Sequence, residues 1–141
     1  MINVLTMKTI IAIIEKGDTD GYSIYASDES IPVVADGLTE SEARHDFEEN
    51  LKQQAIYMKE RLGHWPNWYS QDMKVDYRYD MSAFFESFPF INATKFAQSL
   101  GINPSLLRKY KSGIVKVGEK QKDLIQKKFD EIVHRLNLVR F

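Results

Sequence analysis

The residues best suited to binding chemistry lie in the segment KFAQSLGINPSLLRKYKSG, residues 95–113. Arg108, Lys109 and Lys111 stand close together in it, and Lys116 follows shortly afterwards. Arginine and lysine side chains bind phosphate groups through charge-assisted hydrogen bonds, and they also pair with the edges of guanine bases. The segment therefore indicates a surface for a polyanion, provided that local structure holds these side chains on an exposed element.

The spacing of small and apolar residues in this segment predicts that element. Ala97 leaves room where two helices would touch, and Gly101, four positions later, takes the positive φ of a sharp turn at little cost. Asn103 is a good N-cap, and Pro104 suits the first position of a helix that stops at Gly113. The apolar residues that would join the two helices are Phe96, Leu100, Ile102, Leu107 and Tyr110. The pattern predicts a helix-turn-helix unit.

A basic helix that projects from such a unit can enter the major groove of DNA. The start of the preceding helix, at Asn92, can also bind a phosphate. The candidate DNA-binding residues are Asn92, Asn103, Ser105, Leu106, Arg108, Lys109, Lys111 and Lys116. The alternative is an ordinary pair of helices with a glycine turn and solvated lysines. Because the capping, turn and apolar positions coincide with a basic segment, the pattern favours DNA.

Charge divides the chain into an acidic part and a basic part. Residues 1–88 carry 8 Lys/Arg against 16 Asp/Glu, a net charge of −8, whereas residues 89–141 carry 11 against 4, a net charge of +7. The division suggests two surfaces with different partners, a polyanion at the basic end and a basic molecule at the acidic end. The alternative is chance segregation of solvated faces, which a split of this size disfavours.

Three strands are predicted at the start of the chain. The apolar stretch MKTIIAIIEKG, residues 7–17, predicts an interior strand covered on both faces. The turn GDTDG is interpreted as a hairpin turn, because in a calcium loop Lys16 and Ser27 would occupy the first and twelfth positions. The segments GYSIYASD, residues 21–28, and IPVVAD, residues 31–36, predict the second and third strands.

A long helix and a fourth strand follow. Thr39 and Glu42 form a capping box that starts the helix, and Gly63 ends it. Its predicted apolar stripe consists of Ala43, Phe47, Leu51, Ala55, Met58 and Leu62. Strict alternation in KVDYRYDMS, residues 74–82, predicts a half-buried strand. The order is therefore β-β-β-α-β.

The predicted fold class is α+β, with two domains. Residues 1–81 form the small β-β-β-α-β domain, and residues 82–141 form an all-α helix-turn-helix domain. The last helix, Glu119 to Leu138, and the tail LNLVRF are more apolar than a monomer needs. We expect a homodimer or a higher homo-oligomer, because DNA readers of this type bind paired half-sites.

Composition limits the compartment and the chemistry. The chain has 141 residues and no cysteine, which fits a reducing compartment. Its longest apolar run, Ile10–Ile14, is far shorter than the roughly 20 residues needed to cross a bilayer, and no signal sequence precedes it. A cytoplasmic location without membrane attachment is expected. No cofactor is expected either, since the sequence contains no glycine-rich phosphate loop and no nucleophile elbow.

These segments, taken together, resemble the HicB-type antitoxins of bacterial toxin-antitoxin pairs, in the branch with a helix-turn-helix tail. GYSIYASDE is similar to the family's strand after the first hairpin, and GLTESEA is similar to its Gly-x-Thr-x-x-Glu-Ala helix start. INATKFAQSLGINPSLLRKYKSG is similar to its DNA-binding tail. One segment departs from the family pattern: residues 27–31 are Ser-Asp-Glu-Ser-Ile where the family has Pro-Asp-Leu-Pro-Gly.

The resemblance implies a degenerate ribonuclease-H-like domain that is not itself a nuclease. It implies that this domain binds a small basic ribonuclease toxin of the HicA type, while the tail binds operator DNA and represses the operon. The alternative is a stand-alone DNA-binding transcriptional regulator without a toxin.

The sequence argues separately against an enzyme. A two-metal nuclease needs carboxylates at strand centres, and isoleucines stand in the middle of the first strand. The histidines His45, His64 and His134 are far apart and lack metal-ligand spacing, so no metal site is expected.

Overall fold

The structure, a computed structural model, describes residues 8–141. It is a mixed α+β structure with a four-stranded sheet and five helices in the described part. The elements are β1 (Thr9–Lys16), β2 (Tyr22–Ala26), β3 (Val34–Gly37), α1 (Glu40–Leu62), β4 (Lys74–Tyr79), α2 (Met81–Ser87), α3 (Ala93–Leu100), α4 (Pro104–Ser112) and α5 (Glu119–Asn137).

The chain divides into two compact units. The first, which we name the sheet unit, ends at Ala83, and the second, the helical unit, is Phe84–Phe141. The division falls within α2.

The sheet is mixed, with strand order β3-β2-β1-β4. β2 is antiparallel to both β1 and β3, whereas β4 is parallel to β1. A parallel neighbour requires a crossover connection, and α1 provides it between β3 and β4. The predicted order β-β-β-α-β is confirmed. The first predicted strand started at Met7, which lies outside the described residues.

The prediction that β1 is covered on both faces is wrong. Ile10, Ala12 and Ile14 are buried beneath α1, but on the other face Ile11 is 38% exposed. The open face continues on β3, where Val34 is 64% exposed. β1 lies between two neighbouring strands, β2 and β4, and its middle is apolar throughout. No element described within the sheet unit covers its second face, so the apolar run does not indicate burial on both sides.

α1 begins at the predicted N-cap, Thr39, but Glu42 bonds the N–H of Leu38 instead of that of Thr39, which a capping box uses. The Thr39 hydroxyl accepts from the backbone N–H of Glu42 at 3.1 Å, and the Glu42 carboxylate accepts from the N–H of Leu38, also at 3.1 Å. Gly37 is required just before it, because a Cβ at this position would collide with the backbone of Ala43. The close approach of β3 to α1 therefore permits only glycine there.

The buried face of α1 fills the core of the sheet unit. Ala43, Phe47, Leu51 and Ala55 are buried, as the spacing predicted. Leu62, however, is 55% exposed, so the stripe ends before the last turn. The helix packs mainly on β2 and β3, and its last turn extends beyond the core.

β4 contributes two tyrosines to the face beneath α1. The Tyr77 ring contacts Phe47 edge-on at a centroid distance of 6.4 Å, and the Arg44 guanidinium lies over the same ring at 4.5 Å. Arg44 also donates to the Tyr79 hydroxyl at 3.1 Å, and Tyr79 donates to Glu40. These contacts fix β4 to the first half of α1.

We predict an alkaline loss of stability that depends on Tyr77. Burial raises the pKa of Tyr77 to about 12, and the negative charge of Glu48 adds to the rise. The phenol ionises near pH 10 in an unfolded chain, so its contribution to folding is complete below about pH 10 and is lost as the pH rises towards 12. Urea unfolding of the wild type and of Tyr77→Phe, followed by tryptophan fluorescence, should show a smaller loss between these pH values in the variant. Parallel losses would contradict the assignment.

The helical unit has a small aromatic core. Phe84 stacks on Phe96 at a centroid distance of 5.4 Å, and Phe129 of α5 lies edge-on to Phe84 at 5.8 Å. On α5 Ile125 is buried and Phe129 and Ile132 are half-buried, whereas other apolar residues of its second half and the tail are exposed. These exposed residues are Val133, Leu136, Leu138, Val139 and Phe141.

Within residues 8–141, no helix has both the length and the apolar character needed to cross a membrane.

Candidate nucleic-acid interface

The candidate interface is built on α3, α4 and the turn between them. Gly101 has φ +73°, in the left-handed region, and a Cβ there would meet nothing within 4 Å. Glycine is therefore favoured by backbone conformation and not by lack of space. The N–H of Ile102 donates to the carbonyl of Ala97 at 2.9 Å, and that of Gly101 donates to Gln98 at 3.2 Å. This pair of bonds is a Schellman motif, which ends α3 sharply.

α4 starts three residues later with the predicted caps. The Asn103 side chain accepts from the N–H of Ser105 at 2.8 Å, and Pro104 occupies the first turn. At the other end, Gly113 stops the helix. The sequence therefore determined both ends of α4 through local rules that do not depend on the rest of the fold.

The two helices pack at the predicted small residue. Ala97 and Leu107 are both 0% exposed, and Phe96, Leu100 and Tyr110 are buried beside them. A larger side chain at position 97 would separate the helices, so the alanine sets their distance. The apolar face of α4 is thereby fixed inward, and its opposite face is fixed outward.

The outward face of α4 carries Ser105, Arg108, Lys109 and Ser112, all exposed. Their spacing of three, four and seven positions places them on one stripe of the helix. The Arg108 guanidinium donates to the hydroxyl of Thr94 on α3 at 3.2 Å and to that of Ser105 at 3.2 Å. Two hydroxyl groups therefore hold it beside the start of α3, with N–H donors remaining for a ligand.

The remaining predicted site residues have different surroundings. Asn92 caps α3 by accepting from the N–H of Lys95 at 3.0 Å, and Asn103 caps α4 in the same manner. Both residues are exposed, but their amide oxygens are used inside the protein. Leu106 is half-buried, and Lys116 is exposed on the segment between α4 and α5.

Lys111 lies apart from the stripe of Arg108 and Lys109. Its ammonium lies over the ring of Phe85 on α2, 5.2 Å from the centroid. Position 111 follows Leu107 by four and Arg108 by three, so Lys111 stands between the buried face of α4 and the stripe. Lys111 remains exposed, with its ammonium in contact with the Phe85 ring.

Thr94 is a site residue that sequence analysis missed. It stands in the first turn of α3, fourteen positions before its partner Arg108. No spacing rule within one helix connects the two, since their contact depends on the angle between α3 and α4. A hydroxyl two positions after an N-cap asparagine was the one available signal, and it is too common to be selective.

The outward stripe of α4 lies beside the start of α3, in a unit rich in basic residues. Together they form a surface suited to negatively charged ligands. The unit holds 11 Lys/Arg, and the stripe presents an oriented guanidinium beside an ammonium. Such groups form bidentate and point-charge bonds with phosphates, and arginine pairs with guanine edges. The arrangement can bind a polyanion with defined geometry.

Comparison of the chain with protein-family models, with curated proteins and with solved structures finds no match.

Proposed function

We propose that this protein is an antitoxin of a type II toxin-antitoxin pair, similar to the HicB family. In this proposal the helical unit is a helix-turn-helix domain that binds operator DNA and represses its own operon. The sheet unit, a degenerate ribonuclease-H-like domain, binds and neutralises a small basic ribonuclease toxin similar to HicA. The protein works in the cytoplasm, is not an enzyme, and needs no cofactor.

The observation that carries the proposal is the outward stripe of α4. Arg108 and Lys109 are exposed, and Arg108 is oriented by Thr94 and Ser105 at 3.2 Å each. An orientated guanidinium loses less conformational entropy when it binds than a solvated one. Solvated lysines on an ordinary helix pair would not require this arrangement, so the stripe favours groove binding over a simple charged face.

The acidic sheet unit supports the toxin half of the proposal. Exposed carboxylates of Asp36, Glu42 and Glu48 lie on β3 and the first half of α1. A partner with a basic surface would be steered towards such a face and held by charge complementarity. We place the toxin contact on the sheet unit.

The helical unit also carries the proposed contact between copies. The second half of α5 exposes Val133 and Leu136, and the tail exposes Phe141. Burying these residues between two copies would bring two α4 helices to paired half-sites of an operator.

A stand-alone transcriptional regulator is the second candidate, and one segment favours it. In Ser27–Ile31 the Asp28 carboxylate accepts from the N–H of Ser30 at 2.9 Å and from its hydroxyl at 2.7 Å. These bonds hold the pKa of Asp28 below its ordinary value. This polar turn, which the Asp28 side chain caps, stands where the family has a proline-glycine turn. A toxin contact that required the proline-glycine turn would therefore be absent.

Titration with DNA tests the DNA half. Fluorescence anisotropy with a duplex from upstream of the protein's own gene should give tight binding, and a shuffled duplex of equal length should bind more weakly. The logarithm of the association constant should fall linearly with the logarithm of salt concentration, with a slope of about −0.9 per phosphate contact. Binding that does not change with salt, or that is equal for both duplexes, would refute operator recognition.

The neighbouring gene tests the toxin half. If it encodes a small basic protein, that protein should cleave RNA alone and lose the activity when this chain is added in equal amount. Persistent cleavage in the mixture would leave the stand-alone regulator as the better interpretation.

A further inference from the structure

The two edges of the sheet differ in how their backbone groups are covered. At the β3 edge, the Asn50 side chain donates to the carbonyl of Val34 at 2.9 Å, and the Asp46 carboxylate accepts from the N–H of Asp36 at 3.2 Å. Side chains of α1 therefore close this edge against another strand. β4 forms the opposite edge, and the α1 residues that reach it, Arg44 and Glu40, contact the side chains of Tyr77 and Tyr79.

The direction of the β4 backbone groups follows from its pairing with β1. The N–H of Lys74 donates to the carbonyl of Lys8, just before β1, and the N–H of Asp80, just after β4, donates to that of Ile14, at 2.9 Å each. Because hydrogen-bonding direction alternates along a strand, the N–H and C=O groups of Val75, Tyr77 and Tyr79 point away from β1. None of the six residues of β4 is buried, which agrees with an open edge.

The side chains of β4 form a charge pattern that is complementary to itself in the antiparallel direction. Lys74, Asp76 and Arg78 lie on the open face of the sheet. Asp80 follows in the same alternation, with its carboxylate already accepting from the Ser82 hydroxyl at 2.6 Å and the Ala83 N–H at 2.9 Å, so Asp76 and Arg78 are the main charges of the pattern. If Tyr77 stands opposite Tyr77 of another copy, Asp76 stands opposite Arg78 and Lys74 opposite Asp80. We infer that β4 pairs antiparallel with β4 of a second copy of this chain, about a two-fold axis at Tyr77.

This register satisfies both the backbone and the side chains. Tyr77 opposite itself, and Val75 opposite Tyr79, are hydrogen-bonded pairs, so every outward group of β4 finds a partner. Asp76 and Arg78 then face each other in the non-hydrogen-bonded pairs, where side chains approach most closely. Within one chain these two residues already form an ion pair of 2.6 Å, and pairing would join two such pairs into a four-charge network.

The pattern favours a second copy over a foreign strand. Edge strands that avoid pairing commonly carry a proline or charged side chains such as lysine. If the charges all had one sign, pairing two copies of the strand would bring like charges together. β4 has no proline, and its charges alternate in sign about Tyr77. A one-residue slip would place each charged side chain opposite an uncharged one, so the charges specify the register.

The inference is independent of the proposed DNA and toxin contacts. It gives the sheet unit its own two-fold contact, distinct from the apolar end of α5. If both contacts form, the protein assembles beyond a dimer, and disrupting either contact leaves the other.

Charge exchange in the full-length chain tests the contact. Arg78→Asp and Asp76→Arg each place like charges opposite one another across the two-fold axis. The fold should tolerate both replacements, because the side chains of Arg78 and Asp76 are 59% and 42% exposed. In sedimentation equilibrium each variant alone should self-associate through this contact about 10- to 100-fold more weakly than the wild type. An equimolar mixture of the two restores opposite charges at every position and should regain the wild-type mass, as should the double exchange in one chain.

Lys52→Asp is the matched control, because it makes the same change of charge as Arg78→Asp on the outer side of α1 and should leave the mass unchanged. Two single-cysteine variants, Asp76→Cys and Arg78→Cys, test the register: their mixture should form a disulfide between copies, since the Cα atoms would be about 4.5 Å apart. Circular dichroism checks that each variant is folded. A wild type that stays monomeric at all concentrations, an unchanged mass in both charge variants, or a mixture that fails to recover would overturn the inference.

Discussion

Replacing Arg108 and Lys109 together with alanine should weaken binding to the upstream duplex by about 100-fold or more. Each well-placed contact of arginine or lysine to a base or phosphate is worth roughly 1–3 kcal/mol, and the pair occupies the exposed stripe of α4. The loss of affinity should exceed that expected from removing two positive charges, because Thr94 and Ser105 hold the Arg108 guanidinium in place. The salt dependence should also become less steep, since fewer counterions are released on binding.

A charge-matched variant separates this site from the general basic character of the unit. Lys127→Ala with Arg135→Ala removes one lysine and one arginine from exposed positions of α5. It should reduce affinity only weakly, with the preference for the upstream duplex intact. An equal loss in both double variants would mean that net charge, and not the α4 stripe, binds the DNA. Neither replacement touches the buried face of its helix, so circular dichroism should match the wild type.

Local rules explain most of what the sequence predicted. The ends of α1, α3 and α4 follow from Thr39, Gly101 and Asn103, whose preferences act within a few residues and are not overruled by packing. The buried side of α1 was predicted for the same reason, since a period of about 3.6 residues is a property of the helix itself. Such features can be predicted from sequence because their cause lies within one element.

The features that the sequence did not reveal depend on contacts between elements. The apolar run of β1 could not show which face would remain open, because that depends on where α1 lies across the sheet. The contact of Thr94 with Arg108 depends on the angle between two helices. Lys111 is exposed, as predicted, but the contact of its ammonium with the Phe85 ring of α2 was not visible in the sequence.

Leu107→Ala should markedly lower the temperature at which DNA binding is lost, without changing any residue of the exposed stripe. Leu107 is fully buried between α3 and α4, and truncating such a leucine costs roughly 2–5 kcal/mol. The helical unit, Phe84–Phe141, is small, and domains of this size have total stabilities of about 3–9 kcal/mol. One substitution therefore removes a large part of the stability that keeps α4 in place.

The two units can be followed separately, because both tryptophans, Trp65 and Trp68, belong to the sheet unit. In Leu107→Ala, helical circular dichroism should decrease at a lower temperature while tryptophan fluorescence keeps its wild-type transition. Phe47→Ala, which truncates the largest buried side chain of the sheet unit, should lower the fluorescence transition together with the part of the helical signal that α1 supplies. DNA binding should persist at temperatures where fluorescence reports unfolding. An early loss of tryptophan fluorescence in Leu107→Ala, together with an early loss of DNA binding in Phe47→Ala, would mean that the units fold as one.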